Sequence, residues 1–168
     1  MICPFCRTDN IEGADECSNC GQALYGLDLP GSKGSVAPDF VHHPVSRLPL
    51  RTVPSLGTSD PVGFAVRLMQ RSDTSCVLVM NDGELAGIIT GRDILEKIAG
   101  QADDLNAVTC AQIMTPDPQC LHDEDTIALA LNLMASGRSH HVPILVNEKP
   151  VGVIDVNDVF RHLSPYLV

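Results

Sequence analysis

The chain repeats itself. Residues 60–99 align without a gap onto 125–164 at a constant offset of 65 residues, so that Asp60, Ala65, Leu68, Met69, Val77, Gly87, Ile89 and Asp93 recur as Asp125, Ala130, Leu133, Met134, Val142, Gly152, Ile154 and Asp158. The apolar positions between them recur as well. One supersecondary unit is therefore present twice, each copy has a partner against which to bury its faces, and ligand chemistry is expected where the copies meet.

Within each copy the pattern runs helix, strand, strand, helix after a short extended segment. Asp60 before Pro61 reads as an N-cap followed by proline at the first helical position, with Val62, Ala65, Val66 and Met69 on one face. Residues 76–80 form a continuous apolar strand, Asn81-Asp82-Gly83 a turn and residues 85–89 a second strand. From Gly91 a helix carries Ile94, Leu95 and Ile98 and stops at Gly100. The second copy repeats this with Asp125 as cap, strands at 142–146 and 151–154 around a turn at Asn147-Glu148-Lys149, and a last helix to about Leu163.

Ahead of the repeats stand two CxxC pairs, Cys3 with Cys6 and Cys17 with Cys20, ten residues apart. The other three of the seven cysteines, Cys76, Cys110 and Cys120, are scattered singly and read as small packing residues. Paired spacing with an odd count points to metal ligation in a reducing compartment, not to a disulfide framework. Four thiolates so spaced let two knuckles close tetrahedrally on one Zn²⁺, and with cysteine at all four positions none is left for water, so the metal is structural. Ile2, Phe5, Ile11, Ala14 and Leu24 are too few to hold residues 1–24 by burial, and the metal must supply ~10 kcal/mol or more. The segment also resembles the short zinc ribbon that begins many bacterial and archaeal proteins, with Asn10, Ala14, Gly21 and Leu24 at that pattern's positions.

The net charge of −10 opposes attachment to nucleic acid or an anionic membrane. In the ribbon Arg7 faces Asp9, Glu12, Asp15 and Glu16, so its expected partner is another protein. Residues 25–47 are rich in Gly, Ser and Pro and read as a flexible linker, with His42 and His43 solvated at its end. Stripping the metal is therefore expected to leave the melting of the larger domain nearly unchanged. No apolar run approaches the ~20 residues of a membrane span, and the N-terminus lacks a signal pattern, which makes a cytoplasmic location the expectation.

Met114-Thr115-Pro116, the run Ser136-Gly137-Arg138-Ser139-His140-His141-Val142-Pro143-Ile144, and Gly87-Ile88-Ile89-Thr90-Gly91-Arg92-Asp93-Ile94 together resemble the cystathionine-β-synthase (CBS) domain, over residues of about 48–164. Two in tandem make a Bateman module. The resemblance implies an α/β (α+β) fold: a pseudo-symmetric pair of β-α-β-β-α motifs, 48–107 and 108–168, joined by the linker 25–47 to the zinc-ribbon appendage 1–24. It also implies clefts for adenosine derivatives. Carried over, Asp93 holds the ribose hydroxyls, Thr90 the phosphate, and Arg92 lies near that phosphate. Asp158 repeats the ribose position, but Asp155 stands where Thr90 stands in the first copy, which puts phosphate binding there in doubt. His140 or His141 lines a phosphate or fills the core. With no nucleophile–base pair, open metal site or cofactor loop, the expected function is a non-enzymatic, homodimeric sensor of an adenine nucleotide (AMP, ADP or ATP) or S-adenosylmethionine. Two rival readings are a ligand-free dimerisation scaffold and a nucleic-acid-reading ribbon switched by the repeats.

Overall fold

The 65-residue offset governs the backbone as well as the sequence. The computed structural model describes residues 1–3, 7–24, 39–98, 100, 104–135 and 140–163. The first copy runs β1 (Ser55–Gly57), α1 (Val62–Ser72), β2 (Cys76–Asn81), β3 (Glu84–Thr90) and α2 (Gly91–Lys97). A short α3 (Cys110–Ile113) and β4 (Thr115–Pro116) lead into β5 (Leu121–His122), α4 (Ile127–Ala135), β6 (His141–Val146), β7 (Lys149–Asp155) and α5 (Val156–Leu163). One sheet is ordered β1-β2-β3-β4 and the other β5-β6-β7, the β-α-β-β-α order expected for each copy. Among the described residues, no helix is long and apolar enough to cross a membrane.

Alternation along the strands buries both faces of the first sheet. Val77 and Val79 of β2 and Ile89 of β3 pack with Val62 and Ala65 of α1, while Cys76, Leu78 and Ile88 point the other way and pack with Val153. The counterparts Ile127, Ala130, Val142, Ile144 and Ile154 are equally buried.

The chain divides into two compact units, Met1–Pro49 with Leu121–Val142 and Ile154–Val168, and Leu50–Cys120 with Pro143–Val153. Each unit joins the helices of one copy to the leading segment of the other. In the second unit the Cys110 N–H donates to the Asp60 carbonyl at 2.8 Å, the Val62 N–H to the Val108 carbonyl at 2.9 Å, and Pro61 bridges to Thr109. In the first unit the same bonds recur with the copies exchanged: Val45 to Asp125 at 2.7 Å, Ile127 to His43 at 2.9 Å, and Pro44 bridged to Thr126. Residues 39–47 are thus no part of a free linker. They form two 3-10 turns, Asp39–His42 and Val45–Arg47, because Val41, Val45 and Leu48 recur at helical spacing and are buried, a period hidden among Gly and Pro. Residues 25–38 lie outside the described residues.

The exchange continues in the second unit, where Gly87 pairs with Pro116 of β4 and the Val153 N–H donates to the Arg51 carbonyl at 3.1 Å. A Cβ on Gly87 would lie 2.9 Å from the Thr115 carbonyl oxygen, and one on Gly152 would lie 3.0 Å from that of Arg51. The recurring glycine is therefore the point of closest approach of an exchanged leader.

Two local expectations are corrected. Asp60 and Asp125 do not cap helices; their carboxylates accept the Gly57 and His122 N–H groups, both at 2.7 Å, and close the preceding turn. Proline at 61 leaves α1 without a side-chain cap, and Thr126 caps α4 by accepting the Leu129 N–H at 3.3 Å. The hairpin turns have two residues, Asp82-Gly83 and Asn147-Glu148, all at positive φ as type I′ geometry requires.

Candidate functional site

The cysteine segment is itself a repeat, at an offset of 14 residues. The Cys3 N–H donates to the Thr8 carbonyl at 2.9 Å and the Arg7 N–H to the Cys3 carbonyl at 2.9 Å; correspondingly, Cys17 donates to Gln22 at 2.8 Å and Gly21 to Cys17 at 2.9 Å. The bridges Ile2–Asp9 and Glu16–Ala23 keep the same offset, and the left-handed position of each knuckle falls on Arg7 (φ 61°) and Gly21 (φ 66°). The sulfurs of Cys3, Cys17 and Cys20 lie within 4.8 Å of one another, with Cys3 and Cys20 at 3.7 Å. A tetrahedral tetrathiolate zinc with Zn–S of ~2.3 Å has S···S edges of ~3.8 Å, which the Cys3–Cys20 separation matches. Cys6, the counterpart of Cys20 in the 14-residue repeat, lies outside the described residues. Asn10 supports the site, its side-chain amide donating to Cys17 Sγ at 3.5 Å and to the Thr8 carbonyl at 2.8 Å, while its Oδ1 accepts the Ser18 N–H at 2.8 Å.

Among the described residues, this is the one cluster of three metal-ligating side chains. Burial and the Asp60 carboxylate push the Cys110 thiol up to about 11, so it stays protonated. The expected solvated histidine pair is not found: the His43 ring packs edge-on against His162 at 6.1 Å. Nor does the ribbon stand free. The Asn132 side-chain amide of α4 donates to the Cys20 carbonyl, and Arg7 and His42 line a cavity of about 420 Å³ with Glu124, Asp125 and Leu129.

In the first copy Thr90 ends β3 and caps α2, and Asp93 sits in the first turn of that helix, 7% exposed. The carboxylate is fully engaged: Oδ2 accepts the Thr90 N–H at 2.8 Å and its hydroxyl at 2.6 Å, while Oδ1 accepts Lys97 Nζ at 2.8 Å and the Thr115 hydroxyl at 3.1 Å. Burial pushes the Asp93 carboxyl up, but the bonds from Lys97 and Thr90 outweigh it and hold the group below the ordinary carboxylate value. Lys97 also donates to the Ile113 carbonyl at 2.7 Å, tying α2 to α3. Sequence reasoning gives Lys97 no role and places Thr115 only in the Met114-Thr115-Pro116 run, not beside Asp93; an Asp and Lys four apart on a helix is the available signal for the first. Arg92 is exposed and lies 4.0 Å from Glu96 on the helix surface.

In the second copy Asp155 takes the capping place of Thr90. Its Oδ1 accepts the Asn157 N–H at 2.8 Å and the Asp158 N–H at 3.1 Å, and Asp158 Oδ2 accepts the Asp155 N–H at 2.9 Å. Asp158 is fully buried, with Arg161 at 3.7 Å. A carboxylate thus covers the first free amides of α5. His140 is exposed just before β6 and His141 opens that strand half-buried; residues 136–139 lie outside the described residues.

The family model of the CBS domain matches residues 45–100 and 110–165. A mitochondrial CBS domain-containing protein of Arabidopsis thaliana is 32% identical over 109 residues, 62% of this chain and 53% of the relative. A second Arabidopsis CBS domain-containing protein is 33% identical over 87 residues, 52% of this chain and 16% of the relative. The chain thus spans about half or less of these relatives. A solved structure, of a putative signal-transduction protein with CBS domains from Burkholderia ambifaria, is 27% identical with a TM-score of 0.63, covering 67% of this chain and 83% of that one. A hexameric CBS-CP12 protein from bloom-forming cyanobacteria shares the fold at 22% identity and TM-score 0.63, covering 70% of this chain and 69% of that one. Matched twice at the 65-residue offset that also orders its backbone bonds, the chain belongs to the CBS domain family and carries the domain in tandem.

Proposed function

We propose that this CBS pair is a regulatory module that binds an adenine-containing ligand at Thr90 and Asp93 and carries one structural Zn²⁺ on Cys3, Cys6, Cys17 and Cys20. The observation that carries the ligand reading is the Asp93 carboxylate at the head of α2, whose Oδ1 accepts two exchangeable donors, Lys97 and Thr115. A ribose diol offers two hydroxyl donors to take their place, and the displaced ammonium then has the sign a phosphate needs. The tetrahedral S···S edge supports the metal, and a reducing compartment such as the cytoplasm would keep the thiolates available.

Calorimetry with AMP, ADP, ATP and S-adenosylmethionine tests the ligand. One site of stronger phosphate-dependent binding is expected, abolished by Asp93→Ala, scarcely changed by Asp158→Ala, and doubled by Asp155→Thr; two equal AMP sites in the unchanged chain would overturn the assignment. The internal saturation of Asp93 favours a second reading, a ligand-free scaffold. The two separate on melting, because a ligand at 100 times its Kd adds ~2.7 kcal/mol and a scaffold does not respond.

A further inference from the structure

We infer that the ribbon is a zinc-dependent clamp on α4, through which metal occupancy is read by the second copy alone. The inference rests on the zinc reading above. Cys20 serves two elements at once: its sulfur belongs to the thiol cluster and its carbonyl accepts the Asn132 amide. The ribbon's buried apolar cluster is small, Cys3, Cys17 and Leu24 with Met1, Ala14 and Cys20 about it, so the place of that carbonyl depends on closure of the knuckles around the ion. Charge points the same way, since Arg7, the single basic side chain of residues 1–24, shares its cavity with Glu124 and Asp125.

The internal repeat supplies a control. Asn132 and Leu129 stand where the first copy has Arg67 and Phe64. There the Arg67 guanidinium lies 4.6 Å over the Phe64 ring, and Phe64 is 43% exposed. The same helix face is thus built in two ways, and the one bearing Asn132 meets the ribbon. Loss of zinc therefore loosens α4 and leaves α1 as it was.

Hydrogen exchange on the zinc-loaded full chain, read peptide by peptide with and without chelator, tests this. Chelation is expected to speed exchange in residues 127–135 about five-fold or more while residues 62–72 stay unchanged. Asn132→Ala is expected to keep one zinc per chain, to show the faster exchange before chelation, and to respond little further. Unchanged α4 exchange on chelation, or a response of Asn132→Ala equal to that of the unchanged chain, overturns the clamp. Elemental analysis of the same samples separates the two readings: absence of zinc overturns the metal assignment and the clamp with it, whereas zinc present without an α4 response overturns the clamp alone.

Discussion

Asp93 shows how one side chain carries both structure and candidate chemistry. Its four internal donors make the ionised carboxylate the native form, so its contribution to stability is present above the ordinary carboxylate pKa of ~3.9 and is lost as pH falls through its lowered folded value. Asp93→Asn is expected to cost about 2 kcal/mol at neutral pH and to flatten the dependence of melting on pH below ~4, which thermal unfolding across an acid series checks. Glu148 carries the opposite lesson. It occupies the turn position that Gly83 fills in the first copy, at φ 61°, where a side chain costs ~1 kcal/mol. Glu148→Gly should raise stability by about that amount by denaturant titration, and an unchanged midpoint would show that the glutamate gains as much from its surroundings.

At the scale of elements, period made the helices and hairpins legible: the bounds of α1, β2, β3 and α5 follow from the spacing of Val62, Ala65 and Met69 and from the apolar runs around each turn. Capping misleads in the sequence because Asp60 before Pro61 carries an N-cap signature, whereas backbone three residues earlier offers Asp60 and Asp125 a nearer N–H. The docked segment 39–48 was obscured because composition outweighed the three buried residues within it. Val45 decides between linker and element: its complete burial predicts that Val45→Ala costs about 2 kcal/mol on melting, where a solvated linker would show no change. The grouping of Cys3, Cys17 and Cys20 was legible from the CxxC spacing, but the seat of that segment on α4 was not, since one amide and one carbonyl carry no sequence signature.

For the molecule as a whole, the repeat announced the pair, and the Thr90–Asp93 element announced the candidate ligand site, but the Thr115 partner of Asp93 could not be read because it comes from the other copy's leader. Leu95 and Phe160 occupy the same place in α2 and α5, 65 residues apart, and are 70% and 61% exposed. Each is a large apolar group left on an exposed helix face, and the homodimer expected from the sequence should fall to monomer in sedimentation when both become Asp. The exchanged leaders bear on how such a chain is cut and joined. Each half lends the other an edge, so neither half is self-sufficient, while the covalent link between them mainly raises the concentration of one half near the other. Residues 1–107 and 108–168 made as separate polypeptides are accordingly expected to be complementary fragments. Neither is complete when made alone, and together they can restore the whole, by the same strand exchange through which two single-copy chains would find each other.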